Sequence, residues 1–157
     1  TMANERERNF GYQGSGYRQQ NDGLRKVYNK GIDSEWVTGI KKIDNSTIEW
    51  ASHFGEYLAP SNSKDKDAMT TSQIRKFFGE VKRIQADFDK FKDDVPILSA
   101  KLAYAVGRQK GFTRLKKFYE EFDKAIKVID GKKENYDRFV KLLESTVAFH
   151  KFHGGND

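Results

Sequence analysis

The sequence has no cysteine, which excludes disulfides, cysteine zinc sites and thiol nucleophiles and makes a reducing cytoplasm the simplest compartment to expect. It has two prolines, Pro60 and Pro96, so little interrupts helix formation. No apolar run approaches bilayer length, and the first residues lack the apolar core of a signal peptide. A soluble chain without a membrane partner is therefore expected. Also missing are a P-loop, a dinucleotide-binding glycine pattern after a strand and a serine nucleophile signature. Carboxylates such as Glu120, Glu121 and Asp123 alternate with lysines at surface-like helical positions and do not gather where burial would shift their pKa. His53 stands alone. His150 and His153 have the spacing of two metal ligands, but no further cluster completes a site, so a packed or surface role is expected for both. These absences exclude the usual enzyme classes, and no catalytic residue, cofactor or metal is expected.

What the sequence does contain is a charge imbalance confined to one stretch. The 157 residues carry 29 Lys and Arg against 23 Asp and Glu, for a formal net charge of +6. Residues Val95 to Tyr119 hold six basic side chains and no acidic one, so the whole excess lies there. With a sequence pI near 9.4, the balance points to nucleic acid before an acidic membrane. Within this stretch KLAYAVGR places Lys101, Tyr104 and Arg108 at i, i+3 and i+7, which a helix sets along one stripe. Two readings share that spacing: a surface for an anionic partner, and a core helix with a solvated basic edge.

Residues 1–31 are rich in Gly, Gln, Asn and Arg with scattered aromatics and almost no aliphatic side chain. That composition cannot build a core, and a flexible leader is expected there, followed by a single domain over 32–157. Trp36, Val37, Ile40 and Ile43 form one face of a short helix weakened by Gly39. Ser46 and Glu49 have capping-box spacing ahead of Trp50, Phe54, Tyr57 and Leu58. Residues 59–68 read as a surface linker. Thr70 and Gln73 repeat the capping-box spacing, and one helix is expected to carry Ile74, Phe77, Phe78, Val81, Ile84, Phe88 and Phe91 on a common face. Opposite, Lys76, Arg83 and Lys90 have Glu80, Asp87 and Asp94 within helical reach and read as a solvated row. Arg75 and Lys82 have no such acid and flank the apolar face.

Pro96 after Asp93 and Asp94 suits a helix start. The helix that follows is the basic one, with Ala100, Ala103, Ala105 and Gly107 small enough for close approach and Leu98, Leu102 and Val106 supplying apolar contact. The next carries Leu115, Phe118, Tyr119, Phe122, Ile126 and Ile129 inward, yet Arg114, Lys116 and Lys117 crowd its first turn. Cations there oppose the helix dipole, a conflict that an anion bound at that end would remove, and Arg114 is the least explained because Lys116 and Lys117 have Glu120 and Glu121 at i+4. A last helix shows Tyr136, Phe139, Val140, Leu143 and Val147, with Gly154 and Gly155 as its stop. The sum is an all-α bundle of about five helices.

Three of these segments, TTSQIR (Thr70 to Arg75), KLAYAVGR (Lys101 to Arg108) and ESTVAFHKFHGG (Glu144 to Gly155), together resemble the small helical subunit of type III-A CRISPR–Cas effector complexes, the Csm small-subunit family. The likeness covers roughly residues 69–155. It implies a non-catalytic subunit that stacks in several copies as an inner filament and supports the guide RNA–target RNA duplex through backbone contacts, leaving sequence reading to base pairing. Its partners would be the guide and target RNA, the other effector subunits and further copies of itself. Arg75 falls in the first motif and Lys101, Tyr104 and Arg108 in the second; Lys82, Lys110 and Arg114 join the expected RNA-contacting set on charge alone. The alternative is a helical adaptor whose basic edge meets an acidic protein.

Overall fold

The structure is a computed structural model that describes residues 30–154, so most of the expected leader and Gly155 lie outside the described residues. Among the described residues every regular element is helical. A four-residue turn, α1 (Glu35–Thr38), precedes α2 (Asn45–Leu58) and α3 (Thr71–Ala86). A second four-residue turn, α4 (Phe88–Phe91), and a 3-10 turn (Lys92–Asp94) lead into α5 (Val95–Gly107), α6 (Leu115–Lys127) and α7 (Lys133–Phe152). The all-α bundle read from the sequence is the fold found. No helix among the described residues is long and apolar enough to cross a membrane.

Helix α7 is the spine, packing against α1, α2 and α3, while α5 lies at the periphery against α6 and α3. The core between them is aromatic. Trp50 and Phe54 of α2 stack at 5.6 Å, Phe118 and Phe122 of α6 lie 4.7 Å apart, and Phe122 meets Phe139 of α7 edge-on at 6.0 Å. Tilted and edge-on ring pairs contribute beyond the area they bury. Tyr136 adds a polar tie: its hydroxyl donates to the Val81 carbonyl at 2.6 Å. Burial pushes the phenol well above its ordinary pKa, so it stays a donor.

Where helices begin and end, the structure departs from the sequence reading at several places. Helix α1 stops at Thr38 because Gly39 takes the left-handed conformation (φ 84), leaving Ile40 75% exposed and not on the expected inner face. Its last carbonyls are met from α7, where Arg138 donates to Val37 at 2.9 Å and Thr38 at 3.2 Å. The cap of α2 is Asp44, not Ser46: its carboxylate accepts the Ser46 amide at 3.0 Å, and Thr47 returns its hydroxyl oxygen to the Asp44 amide at 3.1 Å. The Thr70–Gln73 box forms as read, with bonds of 2.8 and 3.1 Å. Its helix ends at Ala86, and Phe88 reaches the core from the separate turn α4. Nor is the 59–68 linker all surface, since Ala59 is buried and Asp65 is nearly so.

A glycine sets how closely α2 and α7 approach. A Cβ at Gly55 of α2 would stand 2.7 Å from both the Phe149 carbonyl carbon and the His150 amide of α7, a clash with backbone that no side-chain motion relieves. Gly55→Ala should therefore lower the unfolding free energy by about 1–3 kcal/mol. Gly79→Ala on α3, where a Cβ meets nothing within 4 Å, should raise it by about 0.5–1 kcal/mol. Denaturant unfolding of the two variants checks both signs.

Candidate nucleic-acid interface

Helix α5 buries only Val95, Leu98 and Leu102. Ser99, Ala105 and Val106 are half-buried, while Lys101, Tyr104 at 69% exposure and Arg108, the C-cap, face solvent. Arg108 lies over the Tyr104 ring with its guanidinium carbon 5.8 Å from the centroid, so the ring and the cation form one unit. Lys101 is not unpaired: its ammonium donates to Glu80 of α3 at 2.8 Å. That hydrogen bond holds the Glu80 carboxyl below the usual range, against an opposing contribution from burial. Glu80 also meets Arg83 at 3.6 Å, and Arg83 reaches Asp94 at 3.1 Å. The row on α3 is thus joined partly across helices, where the sequence reading had Glu80 serving its own helix.

Between α3 and α5 runs a groove of about 720 Å³ whose lining includes Lys76, Glu80, Lys101, Tyr104 and Arg108. The structure brings Lys101, Tyr104 and Arg108 together on this groove. It adds Lys76, which the sequence reading had set aside as solvated; the available signal was that Gln73, Lys76 and Glu80 fall on one helical face. Arg75 and Lys82 are exposed on α3 but do not line the groove, and Lys82 lies 6.0 Å from the Phe78 ring. Lys110 is exposed in the turn after α5, beside Phe112 at 58% exposure.

Arg114 requires a correction. It is 2% exposed, and its guanidinium donates to Asp65 at 2.6 Å and to the Ala59 carbonyl at 3.1 Å. Its own amide donates to the Asp67 carbonyl at 2.7 Å. The anion that meets the Arg114 side chain is thus Asp65 of the chain itself, and Arg114 cannot meet RNA in this conformation. Glu121 is likewise not at a surface position. It is 1% exposed, accepts the Ile32 amide at 2.7 Å and lies 3.4 Å from both Lys117 and Lys124. The two histidines take separate partners. His150 is buried with Nε2 2.8 Å from the Met69 carbonyl, and because a carbonyl only accepts, that nitrogen carries the proton. His153 Nε2 lies 3.2 Å from the Ser52 hydroxyl. Among the described residues no three His, Asp or Glu side chains gather as a metal site.

A small all-α helical bundle with a basic, aromatic-bearing peripheral helix is the class this geometry defines. The Csm2 type III-A family matches residues 40–156. A curated relative, the CRISPR system Cms protein Csm2 of Streptococcus thermophilus, is 31% identical over 107 residues, spanning 64% of this chain and 85% of the relative. No solved structure is a significant match. The chain belongs to the Csm2 family, the small subunit of type III-A CRISPR effector complexes.

Burial alone would raise the Asp65 carboxyl, but the Arg114 hydrogen bond, the Ser61 amide and the Arg114 charge together hold it below the usual range. A depressed native pKa means that the stabilisation is complete above the unfolded value of about 3.9 and is lost as pH falls through the native value. Asp65→Asn should therefore lose less stability than wild type on acidification below pH ~4, read by urea unfolding across pH. Arg114→Ala, which strands a nearly buried carboxylate, should cost about 3 kcal/mol at neutral pH.

Proposed function

We propose that this chain is a non-catalytic scaffold of the type III-A effector in the cytoplasm. Several copies stack as an inner filament and support the guide RNA–target RNA duplex through backbone phosphates. The observation that carries the reading is the alignment of Lys101, Tyr104 and Arg108 on the solvent side of α5, joined by Lys76 across the groove. Phosphate contact needs accessible cations at helical spacing and no base-specific geometry. Arg75, Lys82 and Lys110 are exposed and stay in the proposed RNA-contacting set on charge, although Arg75 and Lys82 stand on α3 away from the groove; Arg114 is left out of the RNA-binding set. Stacking of copies is supported by the uncovered small residues of α5: Ala103 and Gly107 are exposed, and a Cβ at Gly107 would meet nothing within 4 Å. Residues 32–157 act as one domain in this reading, with the leader added to it.

The exposed Lys101–Glu80 pair has a consequence for affinity. An ion pair in solvent contributes only ~0.2–1 kcal/mol, so phosphate can replace Glu80 at Lys101. In the reconstituted complex, Lys101→Ala/Arg108→Ala should weaken target-RNA binding. Its log–log salt slope should be shallower by about 0.7–0.9 for each phosphate no longer neutralised. Assembly is scored separately by size. A double variant that assembles and binds with an unchanged slope would sink the RNA reading in favour of an adaptor that meets an acidic protein.

Glu80→Gln should act in the opposite direction. With the competing carboxylate removed, RNA binding at low salt should tighten up to about fivefold, measurable in the same titration.

A further inference from the structure

The groove between α3 and α5 is built for more than phosphate. Its floor is apolar: Phe77, Leu102 and Leu115 are buried and Ala105 is half-buried. A phosphate gains nothing from such a floor, because a charged group loses solvation against it. At the rim stand Gln73 and Gln109. The Gln73 side-chain oxygen is committed to the Thr70 amide, which leaves its NH2 free to donate outward. Three cations, Lys76, Lys101 and Arg108, line the same groove against one carboxylate, Glu80, which Lys101 already engages. Tyr104, 69% exposed, stands beside them with Arg108 over its ring. At about 720 Å³ the space falls within the ~300–1,000 Å³ typical of small-molecule pockets.

We infer that this groove receives an unstacked nucleobase of a single-stranded stretch of RNA, with the flanking phosphates held on the cationic rim. The inference rests on the RNA-scaffold reading and names the part of the RNA that enters this site. A nucleobase has the three properties the groove asks for together. Its faces are apolar enough for the Phe77–Leu102 floor and stack on an aromatic such as Tyr104. Its edge carries donors and acceptors for side-chain amides. Its own chain supplies negative charge on both sides of the inserted base, matching the excess of cations at the rim. An acidic side chain would satisfy the rim and leave the floor in water. Every base has a π-face, so the groove selects an unpaired base and not a sequence.

The test keeps the phosphate count constant and removes only bases. The full chain is titrated at low salt with a short single-stranded RNA, and again with an RNA of the same length whose central positions are abasic. The abasic RNA should bind about tenfold more weakly, from the stacking contribution of one base, with the same salt slope. Ala105→Phe, which fills the groove without altering a charge, should erase the preference for intact RNA and keep that slope, with its fold checked by thermal unfolding. Because the abasic comparison uses the wild-type chain, it stands even if the variant misfolds. Equal affinity for intact and abasic RNA would overturn the base site while leaving phosphate contact standing. Absence of salt-dependent binding to either RNA would overturn both readings.

Discussion

The fold depends on how one buried cation is satisfied. Arg114 sits just ahead of α6 with its side chain inside the protein, where an unpaired guanidinium would cost several kcal/mol. Asp65 supplies the counter-charge and the Ala59 carbonyl a further acceptor, while the Arg114 amide takes the Asp67 carbonyl. These bonds draw the α2–α3 connection against the start of α6 at three points. The next residues are held as well: the Met69 amide donates to Leu58 at 2.9 Å, and its carbonyl accepts from His150 of α7 at 2.8 Å. A segment with linker composition thereby becomes the joint that orients α3. Since α3 is one wall of the groove, the position of Lys76 and Glu80 relative to α5 follows from a charge buried elsewhere.

From that joint the division of the molecule into spine and working edge follows. Helix α7 is enclosed by α1, α2 and α3, and Gly55 lets α2 approach its backbone more closely than any side chain would allow. The aromatic rings of α2, α6 and α7 fill the interior that results. Helix α5 buries only Val95, Leu98 and Leu102 fully in this packing, with Ala105 and Val106 half-buried against it. Its sequence is apolar enough to be enclosed, yet Ile97, Tyr104 and, just beyond it, Phe112 remain exposed. A helix so placed is available for binding at little cost to the stability of the bundle.

Much of the fold was legible because a 3.6-residue apolar period survives in each long helix. The helix ends were less so. Gly39 ends α1 outright where its residue type suggested only weakness, and Asp44 takes the cap from Ser46 because its carboxylate stands just ahead of the first turn, where it reaches an orphan amide. The expected continuation of α3 through Phe88 fails at Asp87, which leaves the helical region (φ −147, ψ 71) although the apolar period runs on. In the candidate site, spacing found Lys101, Tyr104 and Arg108 because they share one helix. It misassigned Arg114 and Glu121 because the partners that decide them are far away in sequence. Asp65 lies 49 residues from Arg114, Ile32 lies 89 from Glu121, and Glu80, whose bond to Lys101 spacing did not show, lies 21 from Lys101. Helical reach of three or four residues cannot register any of these.

Solvent access decides why one basic residue of the acid-free stretch is structural and another is suited to a ligand. Two unit charges 4 Å apart interact with about 1 kcal/mol in water and several times that at a lower effective dielectric. Arg114 and Asp65 are 2% and 10% exposed, so their attraction is strong, and separating them would leave both charges without solvent. Lys101 and Glu80 are 53% and 32% exposed; water screens their attraction and solvates either partner when they part. A sequence places both cations in one stretch with equal formal charge. Burial alone makes the first a fixed part of the fold and the second exchangeable, and only an exchangeable cation can give its counterion up to a phosphate.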